Sequence, residues 1–241
     1  APRGGLGNQA GGRVADESSS AQITVRHLLN QTSGFSTLAG NAFWDSPDGM
    51  ETVVRRLKNV RLSQPVGTRF QYSNINYSIA GVLIETVSGE DYAAYIARHV
   101  FAPLAMKHSY TRSASADGLA VGHYRNLGRT TASEGAQPAY LLAAGFLIAS
   151  AEDMAHYAIA QLNDGRYGQA AILSAKGIAE LHRPGLPVWK DSSYAMGWVV
   201  GPIDTIPTVW HNGDTGRAHA MAIVASGARC NPITCSPASR K

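Results

Sequence analysis

The chain has 241 residues, with 21 Lys and Arg against 17 Asp and Glu, and 44% of its positions are hydrophobic. That composition excludes a disordered chain, and the length suffices for one large domain or for two lobes sharing a core. The +4 charge is scattered, and its densest patch, Arg55, Arg56 and Lys58, lacks interleaved aromatics. A nucleic-acid partner is therefore not expected. The longest apolar stretch, residues 140–151, is broken by Gly145, so no membrane span is expected either.

Taken in order, residues 1–22 are rich in Gly, Ser and Ala without apolar periodicity, and read as an irregular segment or a remnant. Thr24 then caps a short helix carrying Val25, Leu28 and Leu29. Met50, Val53, Val54, Leu57 and Val60 recur at helical spacing over about 49–60. A turn at Pro65 and Gly67 leads into a short extended run, Arg69 to Tyr72. Residues 75–87 are apolar on nearly every face, predicting a buried helix that stops at Gly89. Asp91 to His99 continues as helix, and 107–140 reads as loop. Ser150 and Asp153 have the spacing of a capping box, with helix from Met154 to Leu162. Ser174 starts a last helix carrying Ile178 and Leu181. Short strands follow at Met196 to Val200, Thr208 to His211 and Ala218 to Ala225. Helices first and antiparallel strands last predict an α+β fold over 23–225, with 226–241 as an irregular tail. A final strand at 218–225 would form an uncovered sheet edge, which favours a homo-oligomer.

Chemistry gathers at two short segments. Tyr72-Ser73-Asn74 stands where an extended run meets the buried helix. A tyrosine there can act as a general base if nearby positive charge lowers its pKa from about 10. Asn74 could then hydrogen-bond a substrate amide or a lysine. The alternative is a plain helix cap made by Ser73 or Asn74. His211-Asn212-Gly213 closes a predicted strand, and Gly213 would admit a substrate backbone close to the chain. The alternative is a hairpin turn, for which Asn-Gly is a strong signal.

In this order the segments resemble the second and third motifs of the serine β-lactamase and penicillin-binding superfamily, nearest its class C β-lactamase-like esterases and peptidases. Longer runs carry the resemblance further. Residues 23–35, ITVRHLLNQTSGF, are similar to that branch's ITVRHLLNHTSG. Residues 65–77, PVGTRFQYSNINY, resemble its PGTxFxYSNxNY, and 81–89, GVLIETVSG, follow as expected. FAPLAMKHS at 101–109 and AGFLIASAEDM at 144–154 match two further runs, so the resemblance spans about 13–224. It implies a helical lobe beside an antiparallel sheet flanked by helices, and hydrolysis of an ester, amide or β-lactam through an acyl-enzyme. Tyr72 and His211 would be catalytic, and Asn74, Asn212, Gly213 and Asp214 would bind substrate, with the Asp214 N–H serving an oxyanion. No cofactor is implied, and a periplasmic or secreted location would follow most of the family.

The departure is the nucleophile motif, Ser-x-x-Lys. The residues three before the five lysines are Arg55, Leu104, Leu173, Pro187 and Ala238, and none is serine. A chain truncated at one or both ends is the expectation this raises; a family member that binds ligand without catalysis is the alternative. Replacement of the nucleophile by Ser33, Ser36 or Ser73 also remains open. The other histidines show no ligand spacing, and Cys230 and Cys235 are too few for a four-ligand zinc site, so no metal is expected.

Overall fold

The computed structural model describes residues 17–116, 118–133, 137–215 and 218–225. The chain opens with helices α1 (Glu17–Gln22), α2 (Val25–Leu29), α3 (Thr37–Asn41) and α4 (Met50–Arg56), the last prolonged by a 3-10 turn at Leu57–Asn59. Then come α5 (Asn74–Ser88) and α6 (Tyr92–Ile96), which relaxes into a π turn at Ala97–Phe101. Strand β1 (Ser109–Tyr110) and the hairpin of β2 (His123–Asn126) and β3 (Arg129–Ala132) precede α7 (Leu142–Gly145). After β4 (Ile148–Ala149) and α8 (Ala151–Leu162) come β5 (Arg166–Tyr167), β6 (Ala170–Ala171) and α9 (Ala175–Leu181). The chain then forms β7 (Pro187–Trp189), β8 (Ser192–Tyr194), β9 (Val199–Ile203), β10 (Ile206–Asp214) and β11 (His219–Ala225). These five strands make one antiparallel sheet in the order β11-β10-β9-β8-β7.

The helical lobe is organised around α5. Ile75, Ile79 and Val82 are buried against Leu28 of α2 and Val53 and Val54 of α4 in one apolar cluster. Each such side chain contributes about 1.5–3 kcal/mol through removal from water. The helix is not buried all round as its composition predicts: Val87, in its last turn, is 84% exposed, because nothing packs over that end. Gly40 of α3 meets the start of α5 so closely that a Cβ there would lie 2.7 Å from Ser73 Oγ. A second cluster, of Ala195, Trp198, Val209 and Val224, joins the sheet to Tyr157 and Ala158 of α8.

Several local readings change. Residues 17–22, read as irregular, form α1, while 1–16 and the tail 226–241 lie outside the described residues. The 107–140 stretch contains the β2–β3 hairpin and β1, which pairs with β4. At α8 the Ser150 hydroxyl accepts from Asp153 N as a cap should. The Asp153 carboxylate does not return to the cap, however. It is 1% exposed and accepts from His108 N and Ser109 Oγ, both at 2.7 Å, so that it ties β1 to α8. The tertiary partners, His108 N–H and Ser109 O–H, give the buried carboxylate two donors that the cap alone would not. Among the described residues, no helix is long and apolar enough to cross a membrane.

Asp153→Ala is expected to lower the unfolding free energy by about 2–4 kcal/mol, since removal of the buried carboxylate leaves the His108 N–H and Ser109 O–H without their acceptor. Urea denaturation checks this; a loss below about 0.5 kcal/mol would show that β1 is held by other contacts.

Candidate active site

The segment Tyr72-Ser73-Asn74 is placed by a buried carboxamide. Gln31, with φ of 60°, sits just beyond α2. Its Oε1 accepts from Ser73 N at 3.0 Å and from Asn76 Nδ2 at 2.6 Å, and its backbone carbonyl accepts from Gln71 N at 2.9 Å. Asn76 Oδ1 in turn accepts from Ser33 Oγ at 2.6 Å. Both Gln31 and Asn76 are wholly buried; these bonds satisfy the Gln31 Oε1 and both ends of the Asn76 amide, while Gln31 Nε2 has no hydrogen-bond partner. Ser73 is the residue before α5, yet its side chain does not cap the helix; its hydroxyl donates to Ser36 O at 2.8 Å. The helix-cap explanation of this segment therefore fails, and the polar residues serve tertiary contacts.

On the other side of the site stands β10. His211-Asn212-Gly213 is not a hairpin turn, nor does the strand end at His211. Pairing with β11 continues through His211↔Ala222, Asn212↔Met221, Gly213↔Ala220 and Asp214↔His219. The register with Val209 and Val224 puts His211 on the sheet face that turns toward the helices. Pairing with β9, by contrast, stops at Trp210. Thr215 N donates to Ala218 O, and antiparallel alternation from that bond turns the backbone N–H and C=O of Asn212 and Asp214 toward the β9 side. A side chain added at Gly213 would meet nothing within 4 Å. An extended substrate would find both hydrogen-bonding groups and room along this edge.

The structure brings Tyr72 and His211 together, with ring centroids 6.2 Å apart. Tyr194 of β8, which the motif reading missed, stands beside both, its ring completing a triangle with theirs. Its hydroxyl lies 3.1 Å from His211 Nε2, and its ring meets Tyr72 edge-on at 6.3 Å. Tyr77 of α5 joins the group, donating to Leu29 O at 2.8 Å. Gly197, with φ of 80°, brings the β8–β9 connection against it, where a Cβ would lie 2.9 Å from the Tyr77 hydroxyl. Asn74 is not turned into this cluster by a bond to it; its Nδ2 donates to Asn41 Oδ1 at 3.1 Å. The Asp214 carboxylate pairs with His219 at 3.5 Å. Gln31 carried a signal, since it stands where the quoted family run has histidine. Tyr194 carried none, because nothing in its neighbours marks it as anything but a strand residue.

The electrostatics are those of a neutral pocket. Burial pushes the Tyr72 phenol above its ordinary value, opposite to the lowering that a general base requires. Tyr194 is raised by burial and then by the neighbouring Tyr72. Burial lowers His211, while its bond to the Asn212 carbonyl works the other way. As the site stands, Tyr72 and Tyr194 are protonated and His211 is uncharged at neutral pH. Among the described residues no group of three His, Cys, Asp or Glu is placed to hold a metal ion.

The three serines raised as replacement nucleophiles are each engaged by groups of the helical lobe. Ser33 is wholly buried with its proton given to Asn76, Ser73 gives its proton to Ser36 O, and Ser36 Oγ caps α3 by accepting from Ala39 N.

Comparison with known proteins agrees with this architecture. A family model described as Beta-lactamase matches residues 13–228. Protein flp of Staphylococcus aureus (strain MW2) is 26% identical over 197 residues, which are 79% of this chain and 38% of that protein. The unguisins hydrolase ungD' of Aspergillus campestris is 27% identical over 223 residues, 85% of this chain and 40% of the hydrolase. This chain thus spans about two fifths of the length of these curated relatives. Among solved structures, the octameric penicillin-binding protein homologue from Pyrococcus abyssi superposes with a TM-score of 0.72 at 26% identity, over 84% of this chain and 49% of that one. A D-stereospecific amidohydrolase from Streptomyces sp. shares the fold with a TM-score of 0.71 at 23% identity, over 86% of this chain and 65% of its own.

Two histidines, His182 and His211, are lowered by burial, so they bind fewer protons folded than unfolded. Their contribution is complete above the unfolded histidine value of about 6.5 and is lost as pH falls through the lower folded values. The thermal midpoint is expected to fall on acidification below that point, and less steeply in His211→Gln. Scanning calorimetry across pH decides it, and an identical slope in the variant would deny His211 any part.

Proposed function

Because this chain belongs to the Beta-lactamase family, we propose that it carries the substrate-facing half of an acyl-transfer site for an amide, ester or β-lactam. The observation that supports this reading is the convergence of Tyr72, Tyr194 and His211 from opposite lobes beside the stretch of β10 that β9 does not pair. In such a site a serine oxygen adds to the acyl carbon, the carbonyl oxygen becomes an oxyanion, and the bond to the leaving group breaks. Water later releases the acyl group from the serine.

Tyr72 lies where a phenol can pass a proton between the attacking oxygen and the departing group. It can do so only if a cation brings its pKa down, as burial alone raises it. The family's lysine would be such a cation. Gly213 and the backbone of Asn212 and Asp214 would hold the extended substrate and its oxyanion along β10, with His211 beneath. Asn74, held by Asn41, would need to exchange that partner for the substrate or the lysine. Because no serine stands three residues before a lysine here, the isolated chain is proposed to bind but not to acylate.

The test is intact-protein mass before and after incubation with a fluorescent penicillin and with a fluorophosphonate. We expect no covalent adduct, and measurable non-covalent binding of the penicillin that Gly213→Val reduces at least about tenfold through blockage of the β10 edge. A stoichiometric adduct would show an activated nucleophile within the chain. Binding unaffected by Gly213→Val would move the ligand away from β10.

A further inference from the structure

The reading above uses His211 and Tyr72 and leaves Tyr194 without a part. Tyr194 is 3% exposed, and its backbone is clamped on both sides: its N–H donates to Leu186 O at 3.0 Å and its carbonyl accepts from Gly185 N at 3.0 Å. Phe70 packs on its ring at 5.0 Å. A buried phenol so rigidly placed presents its hydroxyl at a fixed point, and that point is His211 Nε2. We propose that Tyr194 is a positioning residue, whose O–H donates to His211 Nε2 and locks the imidazole as the Nδ1–H tautomer beside Tyr72.

Hydrogen-bond accounting sets the polarity. His211 Nδ1 lies 2.6 Å from the Asn212 carbonyl, which can only accept, so Nδ1 carries a proton. In the uncharged ring Nε2 then has a lone pair, and Tyr194 supplies the donor. The Tyr77 proton is committed to Leu29 O. The Gln31 amide is oriented by its two donors at Oε1, which leaves Nε2 wholly buried and without a hydrogen bond. Gln31 can only add a donor at the phenol oxygen, which frees the phenol proton for His211. The Tyr194–His211 bond thus joins β8 to β10 within the sheet, next to Tyr72 of the helical lobe.

The groups facing the imidazole are the Tyr72 and Tyr194 phenols from the helical side and β8, Val209 and Gly213 along its own strand, and Ala222 on β11. Asp214 and His219 pair with each other on the opposite face of the hairpin. Among the described residues, the Tyr194 hydroxyl therefore has no ionic competitor there for control of the tautomer. This inference rests on the acyl-transfer reading for its consequence, an imidazole that can accept but not donate toward the lobe junction. Its test needs no substrate, so a chain inert toward every acyl compound leaves it standing.

Long-range proton–nitrogen NMR on the full chain with nitrogen-labelled histidine, assigned with His211→Gln, reads the tautomer directly. At pH 7 the wild type is expected to show His211 as a single Nδ1–H tautomer. Tyr194→Phe, which keeps the ring and its packing, is expected to populate both tautomers. Its titration midpoint should rise by about one pH unit, because the bond that favours the neutral ring is lost. A wild-type Nε2–H tautomer overturns the proposal whether or not the variant folds. A cooperatively folding variant with an unchanged tautomer and midpoint overturns it as well.

Discussion

The geometry of the candidate site depends on one buried carboxamide. Gln31 accepts the Ser73 N–H and the Asn76 amide on a single oxygen, and its own carbonyl takes the Gln71 N–H. These bonds fasten the extended run before α5 to the end of α2, so that Tyr72 leaves the chain at a fixed angle. A buried amide with two oriented donors cannot rotate without stranding polar groups, at about 1–3 kcal/mol apiece. The remainder of the network inherits its order from this constraint. Asn76 holds Ser33, Ser73 holds Ser36, and Asn74 holds Asn41.

The second constraint is charge. Tyrosines 72, 77 and 194 and His211 meet at the lobe junction, and burial moves every one of them toward its uncharged form. Such a cluster carries no net charge as it stands. A cation placed beside Tyr72 would oppose the effect of burial and make the phenol a usable base.

The sheet contributes room and direction. Had His211-Asn212-Gly213 been the turn that Asn-Gly suggests, its side chain would have faced solvent at a hairpin tip. Because β10 runs on to Asp214, the imidazole is carried on the inner face, and the backbone beyond Trp210 is offered along an edge that β9 does not cover. The turn signal lost to pairing with β11, whose Ala220 and Met221 supply regular partners to Gly213 and Asn212. Local dipeptide preference is worth little against an extended run of inter-strand bonds with a buried face.

The amino-acid order alone determined the α+β class, the helices that begin at Val25, Met50 and Ala175, and the stop at Gly89, since each is written in periodicity and caps within a few residues; the helix expected from Met154 begins at Ala151. It also marked Tyr72 and His211, through motifs contiguous in the chain. The tertiary structure alone decided that Asp153 serves β1 and not its cap, that Asn74 reaches Asn41, and that Gln31, Tyr77 and Tyr194 gather near Tyr72 and His211. These contacts join residues far apart in sequence: 45 positions separate Gln31 from Asn76, and 17 separate Tyr194 from His211. A pattern within one element states which face is buried. It cannot state which polar group from another element will be there to meet it, because that depends on how the helical lobe and the sheet close on each other.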